Sequence, residues 1–172
     1  AIAMAKADLI FINGLQFEGF IKRLVAASES KAPVIEVTKG ADIIQDPAGG
    51  HYHFNNGKAV FHAAPFDPHA WQSVSNVKTY VTTITAAFCA VDKPGCTQYQ
   101  DNAKTYSQAL DRLDSRIKTA GQSVPVERRT GVVGQKDFRY CEREYGQQFR
   151  SPQGSSTEAE GDAADVAGKV GE

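Results

Sequence analysis

The sequence predicts an α/β protein, and three observations carry that reading. Short apolar runs closed by turn residues alternate with apolar residues at helical spacing over residues 8–37, and the alternation restarts beyond Pro125. Strand–helix–strand order of this kind favours a parallel sheet with covering helices. Between the two alternations lies a long amphipathic stretch with helix signals at both ends. The 172 residues are 41% hydrophobic and 23% charged, ordinary for a globular chain and enough for one good core or two small lobes.

Residues 1–8 lack a charged segment followed by an apolar core, so they read as the end of a helix entering a strand and not as a signal peptide. Asp8-Leu9-Ile10-Phe11-Ile12-Asn13-Gly14 is a buried strand closed by an Asn-Gly turn. Phe17, Phe20, Ile21, Leu24 and Val25 form one helical stripe, and Val34-Ile35-Glu36-Val37 is the next strand. Residues 45–65 read as a long polar loop holding His51, His53 and His62. Loops of that length inside a compact domain are uncommon and are often functional or disordered.

After Trp71, the residues Val77, Tyr80, Val81, Ile84, Ala87 and Phe88 share one helical face, with Ser73 or Ser75 as N-cap. Thr97-Gln98-Tyr99-Gln100 is a capping box opening a helix over 97–120, whose stripe is Tyr99, Ala103, Tyr106, Leu110, Leu113 and Ile117 and whose C-cap is Gly121. At about 35 Å this helix can join two lobes, although an ordinary amphipathic helix on one domain has the same pattern. Thr130-Gly131-Val132-Val133 is a short strand and 137–145 a helix ending at Gly146. A turn-rich segment at 151–160 leads into the helical Asp162-Ala163-Ala164-Asp165-Val166-Ala167. The resulting division is a partial N-terminal α/β lobe at 1–72, a helical region at 73–121 and a partial C-terminal α/β lobe at 122–172, in a chain that reads as cut at both ends.

Lys plus Arg number 19 against 20 Asp plus Glu, a net charge of −1, which leaves no basic footprint for nucleic acid. No apolar run approaches the roughly 20 residues that span a bilayer. Cys89 and Cys96 bracket a segment containing Pro94-Gly95, a turn able to bring the thiols together into a disulfide of an oxidising compartment. Two unrelated thiols at helix ends fit the same spacing. Cys141 is the odd thiol, read as a buried small hydrophobe.

For chemistry, the informative stretch is Phe66-Asp67-Pro68-His69-Ala70-Trp71. Proline fixes its own φ and biases its predecessor towards extended geometry, so His69 is presented from a stiffened turn. That suits a metal ligand, and it equally suits a histidine packed on Trp71. His51 and His53 form an H-x-H pair able to capture metal loosely, or simply solvated. No nucleophile elbow, phosphate loop or H-E-x-x-H segment is present, and His69 shares one backbone turn with Asp67, so an enzyme is not expected.

An ordered set of segments supplies what periodicity does not. Ala7-Asp8-Leu9-Ile10-Phe11-Ile12-Asn13-Gly14-Leu15 with Glu18, Asp67-Pro68-His69-Ala70-Trp71, Tyr99 with Asn102-Ala103 and Tyr106, Pro152-Gln153-Gly154, Ser156-Thr157-Glu158-Ala159-Glu160 and Ala163-Ala164-Asp165-Val166-Ala167 follow one another in this chain. In that order the chain resembles the zinc/manganese substrate-binding proteins of bacterial ABC importers, closest to the zinc-specific periplasmic branch. The resemblance implies two Rossmann-like α/β lobes joined by a long spine helix, each lobe incomplete here. It further implies a zinc ion, with manganese as the alternative, delivered to an ABC permease of the inner membrane by a periplasmic protein peripheral to that membrane.

The resemblance makes His69 a metal ligand and 45–65 the counterpart of the His-bearing loop of zinc members, with His51, His53 and His62 as accessory capture sites. It also implies departures. The family's first His ligand lies upstream of Ala5-Lys6-Ala7-Asp8 and its last carboxylate downstream of Ala167, so neither is expected in this chain. The turn that carries the third ligand reads Gly134-Gln135-Lys136-Asp137-Phe138, one residue shorter and without His. Gln135 is a weak neutral donor there, and Asp137 an oxygen donor beside the vacated position. Glu158 and Glu160 match no ligand. A relative without a competent metal site, working as an adhesin-like or protein-interaction module, is the other reading. Short sheets leave edges open to a homodimer.

Overall fold

The computed structural model describes residues 2–47, 49–55, 58–134 and 137–151, with the backbone alone described at 51–55 and 58–62. Its helices are α1 (Ile2–Ala5), α2 (Ile21–Ser28), α3 (Val74–Val91), α4 (Cys96–Ser123) and α5 (Arg139–Tyr145). Its strands are β1 (Ile10–Ile12), β2 (Val34–Glu36), β3 (Gly50–Asn55), β4 (Lys58–Ala63), β5 (Thr130–Val132) and β6 (Gln148–Arg150). Among the described residues no helix is long and apolar enough to cross a membrane.

The chain divides into two compact units, one of Ala1–Asp42 with Val74–Leu113 and one of Ile43–Ser73 with Asp114–Glu172. The division falls inside α4, whose 28 residues extend about 42 Å.

The first unit is built on β1–α2–β2, a parallel pair with Ile10 opposite Val34 and Ile12 opposite Glu36. Ile10, Val37, Val74, Tyr80 and Leu110 form its buried apolar core. Phe11, Phe88 and Tyr99 stack in succession at 5.4 and 5.1 Å between ring centres, linking β1 to α3 and α4. Asn76, fully buried, brackets the backbone of Asp42, accepting from its N–H at 2.8 Å and donating to its carbonyl at 3.0 Å. Phe17 and Phe20, expected on the helical stripe, precede α2 in a turn, because the backbone at Gly14, Leu15 and Gln16 is left-handed at φ of 86°, 54° and 65°.

At the α3–α4 corner Cys89 and Cys96 form a disulfide, which closes a short loop and stabilises by roughly 2–3 kcal/mol in the chain-entropy model. The capping box is not used: α4 begins at Cys96, ahead of Thr97. Asp92 organises the corner, its carboxylate accepting from the Gly95 N–H at 3.2 Å and from the Tyr99 hydroxyl at 2.5 Å. That hydrogen bond, with burial and the Asp92 charge, holds the Tyr99 phenol above its ordinary pKa. Gly121, expected as the C-cap, lies within the last turn of α4, which continues to Ser123.

The second unit holds a further parallel pair, β5–α5–β6, with Thr130 opposite Gln148 and Val132 opposite Arg150. Phe138 and Phe149 stack at 4.9 Å, and α5 ends on left-handed Gly146. The segment read as a polar loop is an antiparallel hairpin, β3–β4, with His51 opposite His62 and His53 opposite Val60. The alternation in Gly50-His51-Tyr52-His53-Phe54 and its partner, with Asn-Gly between them, is a hairpin pattern that the density of polar residues obscures. The root of the hairpin is tied by the Gln45–Phe66 bridge and by backbone hydrogen bonds from Asp46 N to Pro65 O at 2.7 Å, Asp67 N to Ile44 O at 2.9 Å and Ala64 N to Gly49 O at 2.9 Å.

Candidate metal site

His69 leaves the hairpin root in the Asp67-Pro68-His69 turn and enters the short 3-10 turn Ala70–Gln72. Asp67, 4% exposed in its side chain, uses Oδ1 twice: it accepts from the His69 backbone N–H at 3.0 Å and meets ring Nδ1 at 2.8 Å. The short contact orients the ring, turning Nδ1 towards Asp67 and Nε2 to the opposite side. The indole of Trp71 stands edge-on to the imidazole at 5.3 Å.

Nε2 faces Asp137, whose Oδ1 lies 3.3 Å away and whose side chain is 27% exposed. The structure thus brings together two of the site residues expected from sequence, His69 and Asp137, both within the second unit. Gln135 lies outside the described residues, as do Glu158 and Glu160. His51, His53 and His62 are fixed in backbone register on β3 and β4.

An imidazole nitrogen and a carboxylate oxygen converging on one point fit a divalent cation of borderline softness. They supply two donors where a tight zinc site uses three or four. Among the described residues no group of three or more His, Cys, Asp and Glu is arranged to hold a metal ion.

Two residues that the sequence did not single out, Tyr140 and Arg139, support this arrangement. Tyr140, fully buried on α5, donates its hydroxyl to the Asp67 carbonyl at 2.7 Å and accepts from the Ile44 N–H at 3.0 Å. Burial pushes its phenol above the ordinary pKa, opposed by the hydrogen bond from Ile44. Arg139 donates to Asp46 Oδ2 at 2.8 Å and to the Gln45 carbonyl at 3.3 Å, and stands 3.8 Å from Asp67 Oδ2. Contacts across more than seventy residues leave no local signal in sequence. Cys141 is half-buried against Gln72, with Sγ 3.2 Å from Oε1, and burial raises its thiol pKa, leaving it protonated and unreactive at neutral pH.

An imidazole oriented by a buried carboxylate and facing a second carboxylate thus sits on an α/β scaffold. The chain belongs to the family described as zinc-uptake complex component A, periplasmic (ZnuA), which matches residues 1–171.

Among its relatives, the manganese-binding lipoprotein MntA of Halalkalibacterium halodurans is 31% identical over 144 residues, covering 84% of this chain and 43% of that protein. The zinc-binding protein TroA of Treponema pallidum is 29% identical over 164 residues, covering 95% of this chain and 49% of TroA. The structure of that periplasmic zinc-binding protein superposes with a TM-score of 0.76 at 28% identity, over 95% of this chain and 55% of the other. A crystal structure of ZnuA shares the fold, with a TM-score of 0.81 at 20% identity over 99% of this chain and 59% of the other. The chain spans about half the length of the relatives it matches. The α/β class read from the two strand–helix–strand alternations is the class of these neighbours.

Proposed function

We propose that this chain carries part of the ion-holding machinery of a periplasmic zinc-binding protein that delivers its cargo to an ABC permease of the inner membrane. The observation that carries the reading is the geometry of His69, whose Nδ1 is held by Asp67 at 2.8 Å while Nε2 faces Asp137 at 3.3 Å. Carboxylate–imidazole–metal relays orient metal-binding histidines in this way. A neutral imidazole with one carboxylate favours zinc over manganese, which prefers all-oxygen surroundings. The role is binding and release, with no reaction catalysed. The Cys89–Cys96 disulfide supports an oxidising compartment such as the periplasm.

The β3–β4 hairpin is assigned to accessory capture through His51, His53 and His62, since the register sets His51 opposite His62. Zinc titration by calorimetry tests the whole reading. Binding by the wild-type chain is expected to be lost in His69→Ala and weakened in Asp137→Asn. Replacing the three hairpin histidines by Gln is expected to remove only additional, weaker sites, and manganese is expected to compete poorly. Zinc binding that survives His69→Ala unchanged would overturn the assignment. The alternative of an interaction module with a lost metal site is favoured by the His-free turn Gly134-Gln135-Lys136. It predicts no zinc binding that depends on His69.

A further inference from the structure

We propose that Cys141 and Glu144 are positioning residues for metal choice: through them α5 fixes the separation of His69 and Asp137 at a value that suits zinc better than manganese. The inference rests on the metal-binding reading above. The two donors come from different segments of the second unit. His69 opens the 3-10 turn Ala70–Gln72, and Asp137 lies two residues ahead of α5. His69 Nε2 and Asp137 Oδ1 are 3.3 Å apart. Two ligands each about 2.0–2.1 Å from one zinc ion, at the tetrahedral angle, lie about 3.3 Å from one another. The pair therefore has the spacing of one edge of a tetrahedral zinc shell.

That spacing is held where α5 packs on the turn that carries His69. Positions 140, 141 and 144 share one face of the helix, and each makes a contact with the 67–73 segment. Tyr140 donates its hydroxyl to the Asp67 carbonyl at 2.7 Å. The Cys141 thiol donates to Gln72 Oε1 at 3.2 Å, and Glu144 Oε1 accepts from the Ser73 hydroxyl at 3.4 Å. Glu144 Oε1 is steadied in turn by Arg143 at 3.2 Å. Tyr140 thus grips the chain before His69, and Cys141 with Glu144 grips it after. Ala70, Ser73 and Tyr140 have no exposed surface, which leaves the turn no slack against the helix. The two metals differ in what they lose when this grip is released. Zinc gains from imidazole and carboxylate together, whereas manganese draws mainly on the carboxylate and prefers oxygen for the rest of its shell. Letting His69 drift from Asp137 therefore costs zinc more than manganese.

The test uses the full chain and two double variants. Cys141→Ala with Glu144→Ala removes both contacts after His69. Cys141→Ser with Glu144→Gln keeps a donor to Gln72 and an acceptor for Ser73. Zinc and manganese affinities are each measured by calorimetry, with His69→Ala alongside and thermal unfolding for every protein. The double Ala variant is expected to lower the ratio of zinc to manganese affinity about 10-fold, at the lower end of supporting-shell effects. The Ser/Gln pair is expected to hold the wild-type ratio within about 2-fold. If the double Ala variant does not fold, Glu144→Ala against Glu144→Gln decides by the same ratio. A ratio unchanged in the Ala variant, or both metals weakened equally, with zinc binding still lost in His69→Ala, would overturn the positioning role and leave the metal reading intact. Zinc binding unaffected by His69→Ala would instead overturn the metal reading.

Discussion

The two units each contain a strand–helix–strand pair and each commit carboxylates to backbone donors, half-buried or exposed in the first unit and buried in the second, but to different ends. In the first unit Glu18 accepts from the N–H groups of Asn13 and Gly14 at 2.6 and 3.1 Å. Glu36 accepts from Leu15 N–H at 3.3 Å and from the Thr38 hydroxyl at 3.1 Å. These bonds satisfy three consecutive donors in a turn where Leu15 and Gln16 have positive φ, a conformation that costs non-glycine residues of order 1 kcal/mol or more each. In the second unit Asp67 spends one oxygen on a backbone donor and a ring nitrogen together, and the outcome is a side chain aimed at Asp137. A carboxylate bound to the backbone is therefore read by what it leaves facing outwards. Glu18 and Glu36 leave a finished turn, whereas Asp67 leaves an imidazole nitrogen.

The largest expected effect that separates the two regions is Gly14→Ala. With φ at +86° and a Cβ that would fall 2.1 Å from Glu36 Oε1, the substitution should lower stability by about 2–4 kcal/mol in denaturant unfolding. A loss under about 1 kcal/mol would show that the first turn yields and is not the rigid partner in the comparison. Replacing both Cys89 and Cys96 by Ser should lower stability by about 2–3 kcal/mol by the same measurement, without altering zinc binding, since the bridge lies in the first unit. Glu18→Gln, which loses the charge on two hydrogen bonds, should cost about 1–2 kcal/mol and likewise leave zinc affinity unchanged.

In the second unit the raised pKa of Tyr140 gives the pH dependence its sign. The folded state binds this proton more tightly than the unfolded chain, so the contribution is complete below the unfolded value of about 10 and is lost as pH rises through the folded value. Unfolding followed from pH 8 to 11 should show stability falling at the alkaline end, less steeply in Tyr140→Phe. The smallest effect is expected at Gly134, the glycine nearest Asp137 in the second turn. An added Cβ there meets nothing within 4 Å, so Gly134→Ala should change stability by less than about 0.5 kcal/mol.

The same contrast explains how much of the molecule was legible in sequence. Ile10, Val34 and the α3 stripe announced their elements because strand and helix periods are local, and burial reinforced the reading at Ile10 and Tyr80. That His69 and Asp137 lie together was legible in outline, because proline stiffened one turn and the other lay beside a ligand position of the family the chain resembles. The hairpin was not, because alternating histidines and aromatics were counted as polar loop residues, when the alternation itself marked the strands. The capping box at Thr97 was overruled by Asp92, whose carboxylate already governs the preceding turn. Arg139 and Tyr140 were invisible, because their partners Asp46, Asp67 and Ile44 come close only in the folded chain.

The laddered root of the hairpin also bears on how the sequence can drift. The chain passes out and back between Asp46 and Pro65 through backbone hydrogen bonds that require no particular side chain, and Tyr140 seals the adjoining step at Ile44 and Asp67. Whatever lies beyond that gate can lengthen, shorten or change its histidine count while the turn below keeps its shape, because ordered ends make the closure cost of a longer loop grow only slowly. The side chains at 51–62 can therefore change without disturbing the hydrogen bonds that hold the turn carrying His69.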